Sequence, residues 1–445
     1  MIRKAKYTII LILSLILPLN IYSGNIGTCG HPVFLEREKT IDSFIIRLKN
    51  ANKKEIKNNI INTIINTFGY IGIENLIRYN EKQLAEVFKQ LLKSDNFYVK
   101  FKSIYGLGNT GEPSDAKYIQ QFLKSTNLLL KDIAISAIWK LKAQDKISLL
   151  KDMLAQEKNI YIKNSLEFAI KILEGKLSPT FRNFGYGIIK KPLNKFIYHK
   201  YNEPIKNYEE KYSVIYLPEK EIPTADDFVP PIINYTKELI FKTRRISFGV
   251  GKDIVHTGDD CGWFREGNSV YAIANGIVRL IHHSPDWGFI IVIEHKLPDG
   301  NFLCSIYGHL SRNIYLRAGQ IVRMAEKIGE IGLSYSVDNG GYGAHLHFGI
   351  SKGPWLKPGI NLGKNIMVSS QGGKIQKIKE YKITKNGIEI TYENGIKLVL
   401  SENTTDFSTY LFWLKGYQFA KDVERIWVDP YEFLKKNSSL WQELK

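Results

Sequence analysis

The sequence contains few cysteines and no apolar run long enough to span a lipid bilayer. Only three cysteines occur among 445 residues, and an odd number leaves at least one thiol without an intramolecular partner. The apolar run near the N-terminus, at about residues 9–19, is shorter than the ~20 residues that a spanning helix needs. With 44% hydrophobic and 12% aromatic residues, the composition instead predicts globular domains, and the length leaves room for several of them.

Acidic residues are scarce relative to basic ones: 44 against 62, which gives a formal charge of +18. A strongly basic protein can associate with nucleic acid, anionic lipid or an acidic wall polymer. No nucleic-acid-binding module is recognisable in the sequence, so we expect no nucleic-acid partner. Alternatively, the charge only reflects a chain that is rich in lysine, isoleucine and asparagine throughout.

The first 23 residues have the form of a secretory signal, with a basic start, an apolar run and the small residue Ser23. We therefore predict export to the periplasm or cell envelope of a bacterium. Ile21 is a poor match to the small residue expected before a cleavage site after Ser23, so residues 1–23 are either a signal peptide or a retained N-terminal anchor. Cys29 follows a weak lipobox, which leaves lipidation open. Contact with a membrane is expected only through such an anchor.

Residues 36–176 predict an α-helical repeat domain, because apolar residues recur there at helical spacing. Three segments align with one another, and their marker lysines Lys100, Lys131 and Lys163 lie ~31 residues apart, a period expected of paired-helix repeats. The region resembles short HEAT-type repeats, whose units must stack to bury their apolar faces. Such a solenoid either offers a groove to a protein partner, the alternative we favour, or only holds the following domain away from the membrane.

Residues 177–241 lose this period and contain seven prolines with many tyrosines between them. Proline removes a backbone donor and interrupts helices, so long helices are excluded here. We predict an ordered linker that packs along the domain that follows it.

Residues 256–350 hold seven of the nine histidines and are the part of the sequence best suited to metal binding. The helical signature His-Glu-x-x-His is absent, so a zinc site here would have to be built on strands. In an extended strand the side chains at i, i+2 and i+4 share one face. Tyr307 and His309 are therefore expected on one face of their strand.

Four further side chains have the spacing that a metal site needs. His256 and Asp260 are expected to point the same way, and so are His345 and His347. A zinc ion held by two imidazoles and one carboxylate, with the fourth position open to water, is catalytic rather than structural. Each histidine alone would more often be a hydrogen-bonded core or surface residue, as we expect for His295. The joint pattern predicts a site for one zinc ion.

This stretch resembles the lysostaphin-like (LytM-type) zinc endopeptidases, which cut peptidoglycan peptides. The resemblance runs from about residue 247 to residue 350 and includes three motifs in the family's order and spacing. These motifs are H-x-G-x-D at residues 256–260, Y-G-H-L at residues 307–310 and H-L-H-F at residues 345–348. Trp287-Gly288 and Ile328-Gly329 also match the family pattern.

The resemblance implies zinc held by His256, Asp260 and His347, with His309 and His345 as the unligated catalytic histidines. Bound zinc lowers the pKa of its water to about 7, which makes a nucleophile available at neutral pH. One imidazole can take the proton and pass it to the leaving amine, and the other can stabilise the oxyanion. The sequence does not assign these two roles between His309 and His345.

The stretch departs from the family pattern in two places. Gly349 stands where an acidic residue commonly follows the phenylalanine, and residues 324–327 replace the usual lysine-glycine turn. Neither place touches a predicted ligand. Cys261 and Cys304 are expected to point away from the zinc face, either as a disulfide or as two buried thiols.

The chain continues well beyond the resemblance. Asn386-Gly387 and Asn394-Gly395 lie among alternating segments and predict hairpins, whereas residues 428–434 resemble the tail that closes the catalytic domain. We therefore predict a peptidase domain over residues 242–445 with an insertion at about residues 360–425, either a groove wall or a solubilising decoration. The expected fold is multidomain α + β: an N-terminal α-helical HEAT-like solenoid, followed by a mostly antiparallel β-sheet lysostaphin-like peptidase domain.

The predicted function is an exported zinc metalloendopeptidase that hydrolyses peptide bonds in peptidoglycan stems or cross-links. One alternative is a catalytically inactive LytM-type regulator of cell-wall amidases, against which the intact ligand and catalytic set argues. The other is a zinc protease acting on protein substrates, with the repeats as its receptor. The resemblance also leaves open that residues 177–241 occlude the zinc cleft, in which case truncation to about residue 240 would raise activity.

Overall fold

The structure is a computed structural model. It describes residues 73, 76–77, 84–180, 222–242, 254–284, 287–352, 367–369, 375–384, 387–392, 397–400, 417–419 and 427–441. The predicted signal or anchor segment and Cys29 lie outside these residues. Within them, helices occupy the first part and antiparallel strands the second, which confirms the predicted α + β class.

Six α-helices are described before residue 180. They are α1 (Ala85–Leu91), α2 (Phe97–Thr110), α3 (Ala116–Ile119), α4 (Leu128–Lys140), α5 (Ile147–Gln156) and α6 (Ile160–Leu173), with 3-10 turns at Pro113–Asp115, Gln120–Lys124 and Gln144–Lys146. Among the described residues, no helix combines the length and the apolar character that crossing a membrane would require.

The three longest of these helices, α2, α4 and α6, begin in the same way. Each follows an asparagine, Asn96, Asn127 or Asn159, whose side-chain oxygen accepts hydrogen bonds from backbone N–H groups of the first turn. The caps lie 31 and 32 residues apart, so the period of the sequence is also a period of the structure. Helix α4 packs between α2 and α6, which explains why its sequence is apolar on almost every side. The HEAT-type resemblance itself stays a prediction.

Fifteen strands are described in the remainder. They are β1 (Ile254–His256), β2 (Gly258–Cys261), β3 (Ser269–Tyr271), β4 (Gly276–Ser284), β5 (Gly288–Lys296), β6 (Phe302–Leu310), β7 (Ile321–Val322), β8 (Lys327–Glu330), β9 (Leu346–Lys352), β10 (Met367–Ser369), β11 (Ile375–Thr384), β12 (Gly387–Tyr392), β13 (Lys397–Leu400), β14 (Tyr417–Phe419) and β15 (Trp427–Val428). Helix α7 (Pro430–Asn437) follows β15. We call the described residues from 254 to 441 the strand domain.

The central sheet of the strand domain has seven strands and is antiparallel throughout. Its order is β15-β9-β6-β5-β4-β7, and β2 also pairs with β9. Strands β3 and β8 form a separate pair, as do β1 and β14, and β10 to β13 form a four-stranded sheet. Short apolar segments of the sequence at residues 270–274, 276–281, 289–294 and 302–309 predict strands, and they correspond to β3 to β6. Strand β5 is buried along almost its whole length, as expected for a near-continuous apolar run.

The helices and the strand domain share one apolar core. Tyr271 of β3 and Ala325, just before β8, lie in the same buried cluster as Ile133 and Ile162 of the helices. The aromatic rings of Tyr161 and Tyr271 meet at 4.7 Å between centroids. The helical domain is therefore joined to the strand domain by core packing as well as by the linker.

Buried ion pairs and hydrogen bonds also connect the helices with the strand domain. Lys102 of α2 forms an ion pair with Glu266, and both side chains are fully buried. Asp132 of α4 is a buried acceptor for several donors at once. These donors are Ser165 Oγ at 2.6 Å, Ser269 Oγ at 2.9 Å, Tyr271 Oη at 3.0 Å and the Ser269 backbone N–H at 3.2 Å. Such groups are stable in the interior only when their partners are present, so the relative position of the two domains is tightly specified.

Residues 222–241, the larger described part of the predicted linker, pack on the strand domain together with residue 242. Phe228 and Tyr235 belong to its core, and the Tyr235 hydroxyl donates to Asp259 Oδ2 at 2.6 Å. Truncation to about residue 240 would therefore remove core side chains and expose Asp259. Such a truncation also removes the helices that share the core and leaves Glu266 without Lys102, so it tests folding before it tests occlusion.

The two departures from the family pattern coincide with contacts to other parts of this chain. A Cβ at Gly349 would lie 2.9 Å from the ring of Trp427, so the missing side chain makes room for the tryptophan of β15. Ala325 has a φ of 61°, where glycine is favoured, and its methyl group lies in the core shared with the helices. Strand β15 pairs with β9 after the predicted insertion, and β14 pairs with β1.

Replacing Asp132 should loosen the whole molecule. Asp132→Ala leaves buried hydroxyl and N–H donors without an acceptor, and we expect a loss of roughly 3 kcal/mol in the free energy of unfolding. Urea unfolding followed by tryptophan fluorescence measures this. The control is Asp152→Ala, an exposed carboxylate in the same domain, for which we expect no measurable change. Equal stability of the two variants would contradict the account of the interface.

Candidate metal centre

Three predicted ligands converge between β1, β2 and β9. Asp260 and His347 are paired residues in the β2–β9 ladder, so their side chains stand on the same face. His256 Nε2 lies 2.9 Å from His347 Nδ1 and 3.2 Å from Asp260 Oδ1, and His347 Nδ1 lies 3.0 Å from Asp260 Oδ1. Within the described residues, these three form a cluster able to hold a metal ion.

Gly258 allows strands β2 and β9 to approach this closely. A Cβ at this position would lie 2.3 Å from the Phe348 backbone oxygen and 2.9 Å from His347 Nε2. Any side chain would therefore push β2 away from β9. The glycine of the H-x-G-x-D motif is needed for the distance between the two strands that carry ligands.

His309 and His345 stand beside the ligands, each with one ring nitrogen already engaged. His309 Nδ1 lies 2.8 Å from the Asn339 carbonyl, and His345 Nδ1 lies 2.7 Å from the Gly343 carbonyl. Because a carbonyl oxygen only accepts, each Nδ1 carries the proton and each Nε2 keeps its lone pair. His345 Nε2 lies 3.6 Å from Asp260 Oδ1, and the two imidazole rings are 4.5 Å apart between centroids.

The expectation that Tyr307 and His309 share a face is wrong. Tyr307 lies opposite Phe348, and its hydroxyl accepts from the Ile273 N–H at 3.0 Å in the core. The His309 ring instead meets that of His345. The reason is a φ of 61° at His309, which breaks the alternation of the strand at its end. Backbone strain of this kind is concentrated at functional sites.

Aromatic rings enclose the histidines. Trp263 stacks on His345 at 4.5 Å and 12° between ring planes, and Trp287 lies edge-on to His347 at 4.9 Å. Tyr342 lies 4.7 Å from His309 between ring centroids. All five predicted site residues are less than a tenth exposed. The site is thus a largely dry pocket in which electrostatic interactions are strong.

Burial and mutual proximity set the protonation states. Burial would raise the pKa of Asp260, but His256, His345 and hydrogen bonds outweigh it and hold that pKa well below its usual range. Burial lowers the pKa of His347 to about 4, in spite of its hydrogen bond to Asp260. Burial, with the neighbouring His345, also holds the pKa of His309 well below its usual value. At neutral pH the Asp260 carboxylate is therefore ionised and the His347 imidazole is neutral, the states that metal binding requires. The unligated His309 is neutral as well.

The loop between β8 and β9 supplies residues that the sequence did not single out. Asn339 and Gly343 orient the two unligated histidines through their carbonyl oxygens, and Asp338 forms an ion pair with Arg312. The loop passes so close to Gly288 that a Cβ there would lie 2.1 Å from the Asp338 carbonyl oxygen. The Trp-Gly motif was the only sequence signal for this contact.

The remaining histidine and cysteine predictions have clear outcomes. His295 is a structural residue, because its ring nitrogens bond to the Asn275 carbonyl at 2.8 Å and to Ser305 Oγ at 2.7 Å. Cys261 and Cys304 are buried thiols that are not joined in a disulfide. Burial raises the pKa of both thiols well above the usual value, so neither is a thiolate ligand at neutral pH.

Two imidazole nitrogens and one carboxylate oxygen, with two further imidazoles beside them, form the donor set of a catalytic zinc site. This donor set is the one that metal-dependent hydrolases use. Residues 255–361 match the model of Peptidase family M23. The match confirms the LytM-type resemblance of this stretch, and the His/Asp/His cluster supports zinc as its cofactor.

Solved structures similar to the chain include other peptidases. A zinc-containing peptidase from Vibrio cholerae is 26% identical over 29% of this chain and 37% of its own, with a TM-score of 0.24. LytU is 27% identical over 28% of this chain and 76% of its own, at 0.22. A putative glycyl-glycine endopeptidase LytM from Ruminococcus gnavus is 18% identical over 29% and 55%, at 0.18. Because these TM-scores are low, the similarity of this stretch to peptidases rests on the match to Peptidase family M23 alone. Comparison with curated proteins gives no match.

Measuring zinc binding distinguishes the predicted ligand histidines from the unligated ones. We expect about one zinc per wild-type chain, as for other catalytic sites with three protein ligands. His347→Ala should weaken zinc binding by at least about 100-fold, the upper end of the effect of outer partners alone. His345→Ala should retain the metal. Competition with a chromophoric chelator measures both, and equal losses in the two variants would contradict the division into ligands and unligated residues.

Proposed function

We propose that this chain is an exported zinc metalloendopeptidase that hydrolyses peptide bonds in peptidoglycan stems or cross-links. One observation carries the proposal: His309 and His345 lie beside the cluster of His256, Asp260 and His347, inside an M23 peptidase domain. An inactive regulator would have no need to keep both histidines oriented by backbone carbonyls. The peptidoglycan substrate is inferred from the LytM-type resemblance.

Each residue of the centre has a role in this proposal. Zinc held by the His/Asp/His cluster supplies a Lewis acid that acidifies water and polarises a carbonyl group. His345 is placed to act as the general base, because a carbonyl holds its Nδ1 and its Nε2 lies beside the ligand cluster, 3.6 Å from Asp260 Oδ1. His309 is the second base, held neutral by burial. Either histidine can donate to the oxyanion of the scissile peptide once it has gained a proton.

The aromatic rings serve positioning and exclusion of water. Trp263 lies nearly parallel to His345, which limits rotation of that imidazole about its long axis. Trp287 contacts His309 and His347 from one side. Fixed orientation and low dielectric together raise the strength of the charge interactions that develop during peptide hydrolysis.

Export and partners are part of the same proposal. The basic start and the apolar run at about residues 9–19 support export to the periplasm or cell envelope. A protein partner of the helical repeats would have to bind away from the faces of α2, α4 and α6 that contact the strand domain. Membrane contact would come only from a retained signal or a lipid anchor.

Digestion of purified peptidoglycan tests the proposal. Zinc-loaded wild-type protein should release soluble fragments with new peptide termini, identified by mass spectrometry. His345→Ala should retain zinc but lose activity by about 100-fold or more, because general acid–base groups contribute on that scale. A chelator should abolish release, and added zinc should restore it.

Three outcomes are distinguishable in this experiment. Release that is independent of His345 and of zinc would contradict the proposal. Cleavage of casein without any effect on peptidoglycan would instead identify a protein-directed zinc protease. Zinc binding without cleavage of either substrate would favour the regulator of wall amidases.

A further inference from the structure

Glu330, the last residue of β8, is a buried carboxylate held by lysines from two domains. Lys140 of α4 reaches its Oε2 at 2.8 Å, and Lys327 of β8 reaches its Oε1 at 3.1 Å. Lys327 Nζ also donates to Ser136 Oγ of α4 at 2.8 Å. All three charged side chains are at most 5% exposed. Burial would raise the pKa of Glu330, but Lys140 and Lys327 lower it to about 2.

Glu330 in turn holds the segment that follows His309. Its Oε2 accepts from Asn313 Nδ2 at 3.0 Å, and its backbone oxygen accepts from the Ser311 N–H at 2.8 Å. Oε2 is thus shared between Lys140 of the helical domain and Asn313. A change at Lys140 therefore acts directly on the oxygen that anchors residues 311–313.

Arg312 connects this anchored segment to the loop that orients His309. Its backbone N–H donates to Asp338 Oδ2 at 3.0 Å, and its guanidinium binds the same carboxylate through Nε at 2.9 Å and through a terminal nitrogen at 2.5 Å. The next residue, Asn339, accepts from His309 Nδ1 at 2.8 Å. The loop cannot relax toward β5, because it already lies against Gly288.

We propose that Lys140 is a positioning residue for His309, so that the helical domain is a working part of the peptidase. Lys140 holds Glu330, Glu330 holds residues 311–313, and the Arg312–Asp338 pair holds the carbonyl that orients His309. This inference rests on the proposed function, because that function gives His309 its role. The contacts from Lys140 to His309 are independent of the proposed function.

Breaking the contact between Lys140 and Glu330 costs free energy, and this cost makes the coupling between Lys140 and His309 testable. Without Lys140, Glu330 would retain Lys327 on one oxygen but only the neutral Asn313 on the other, in a site closed to water. A buried carboxylate that loses a cation rearranges or takes up a proton. Either response changes the acceptor presented to Asn313, and small displacements of a catalytic group are expensive in rate.

The test uses two matched lysine variants on the same helix. Lys140→Met removes the contact with Glu330 while keeping most of the side-chain volume. Lys131→Met removes an ion pair with Glu157 that lies within the helical domain, 3.3 Å between charged atoms. Hydrogen exchange of peptides covering residues 331–345, measured by mass spectrometry on the full zinc-loaded chain, reports the loop without any substrate. kcat and KM on solubilised peptidoglycan fragments report the site.

For Lys140→Met we expect loop exchange to rise by about tenfold and kcat to fall by about tenfold, with KM changed by less than about twofold. Lys131→Met should match wild type in all three quantities.

Several results would overturn the inference. Loop exchange and kcat in Lys140→Met equal to those of Lys131→Met would show that the contact is structural only. Faster exchange spread evenly over all peptides would show general destabilisation in place of coupling. If wild-type protein cleaves no peptidoglycan, the proposed function fails, while the exchange measurement still decides whether Lys140 controls the loop.

Discussion

The antiparallel pairing of β2 with β9 is the constraint on which the metal centre depends. It places Asp260 opposite His347, and the missing side chain of Gly258 lets the two strands approach. A slip of one residue in this ladder would turn one ligand to the opposite face. Core residues on the other face hold this register. Phe348, which is paired with Asp259, is fully buried there and would leave the core after such a slip.

The helical domain takes part in the same structure. Its buried charges complement those of the strand domain: Lys102 with Glu266 on one side, and Lys140 with Glu330 on the other. Charge pairs of this kind specify one arrangement more than they stabilise it, because desolvation offsets much of their attraction. A series of contacts leads from α4 to the loop that orients His309 and His345, so the helical domain and the metal centre are physically connected.

Local spacing made much of the site predictable. His256 with Asp260, and His345 with His347, are close in sequence, so strand geometry alone predicted how each pair would point. The carbonyl groups that orient His309 and His345 could not be predicted, because they depend on the backbone path of a loop. The positive φ of His309 could not be predicted either. Because of it, the expectation that Tyr307 and His309 share one face of the strand was wrong.

The contacts between domains lay beyond sequence reasoning for a different reason. Lys102 and Glu266 are 164 residues apart, and no period or motif connects them. One departure from the family pattern, at residues 324–327, does coincide with a contact between the domains, because Ala325 packs in the core shared with the helices. The other, Gly349, coincides with a contact inside the strand domain, where the absent side chain leaves room for Trp427. The sequence did not identify the partner in either case.

The position of β15 has a consequence for solubility. Strands β2 and β15 lie end to end along one side of β9, and β6 covers the other, so the strand that carries His347 has no open edge. The outer strands of this sheet are short: β15 and β7 have two residues each and β2 has four. Short outer strands give a second molecule little backbone to pair with, which disfavours edge-to-edge aggregation of this sheet.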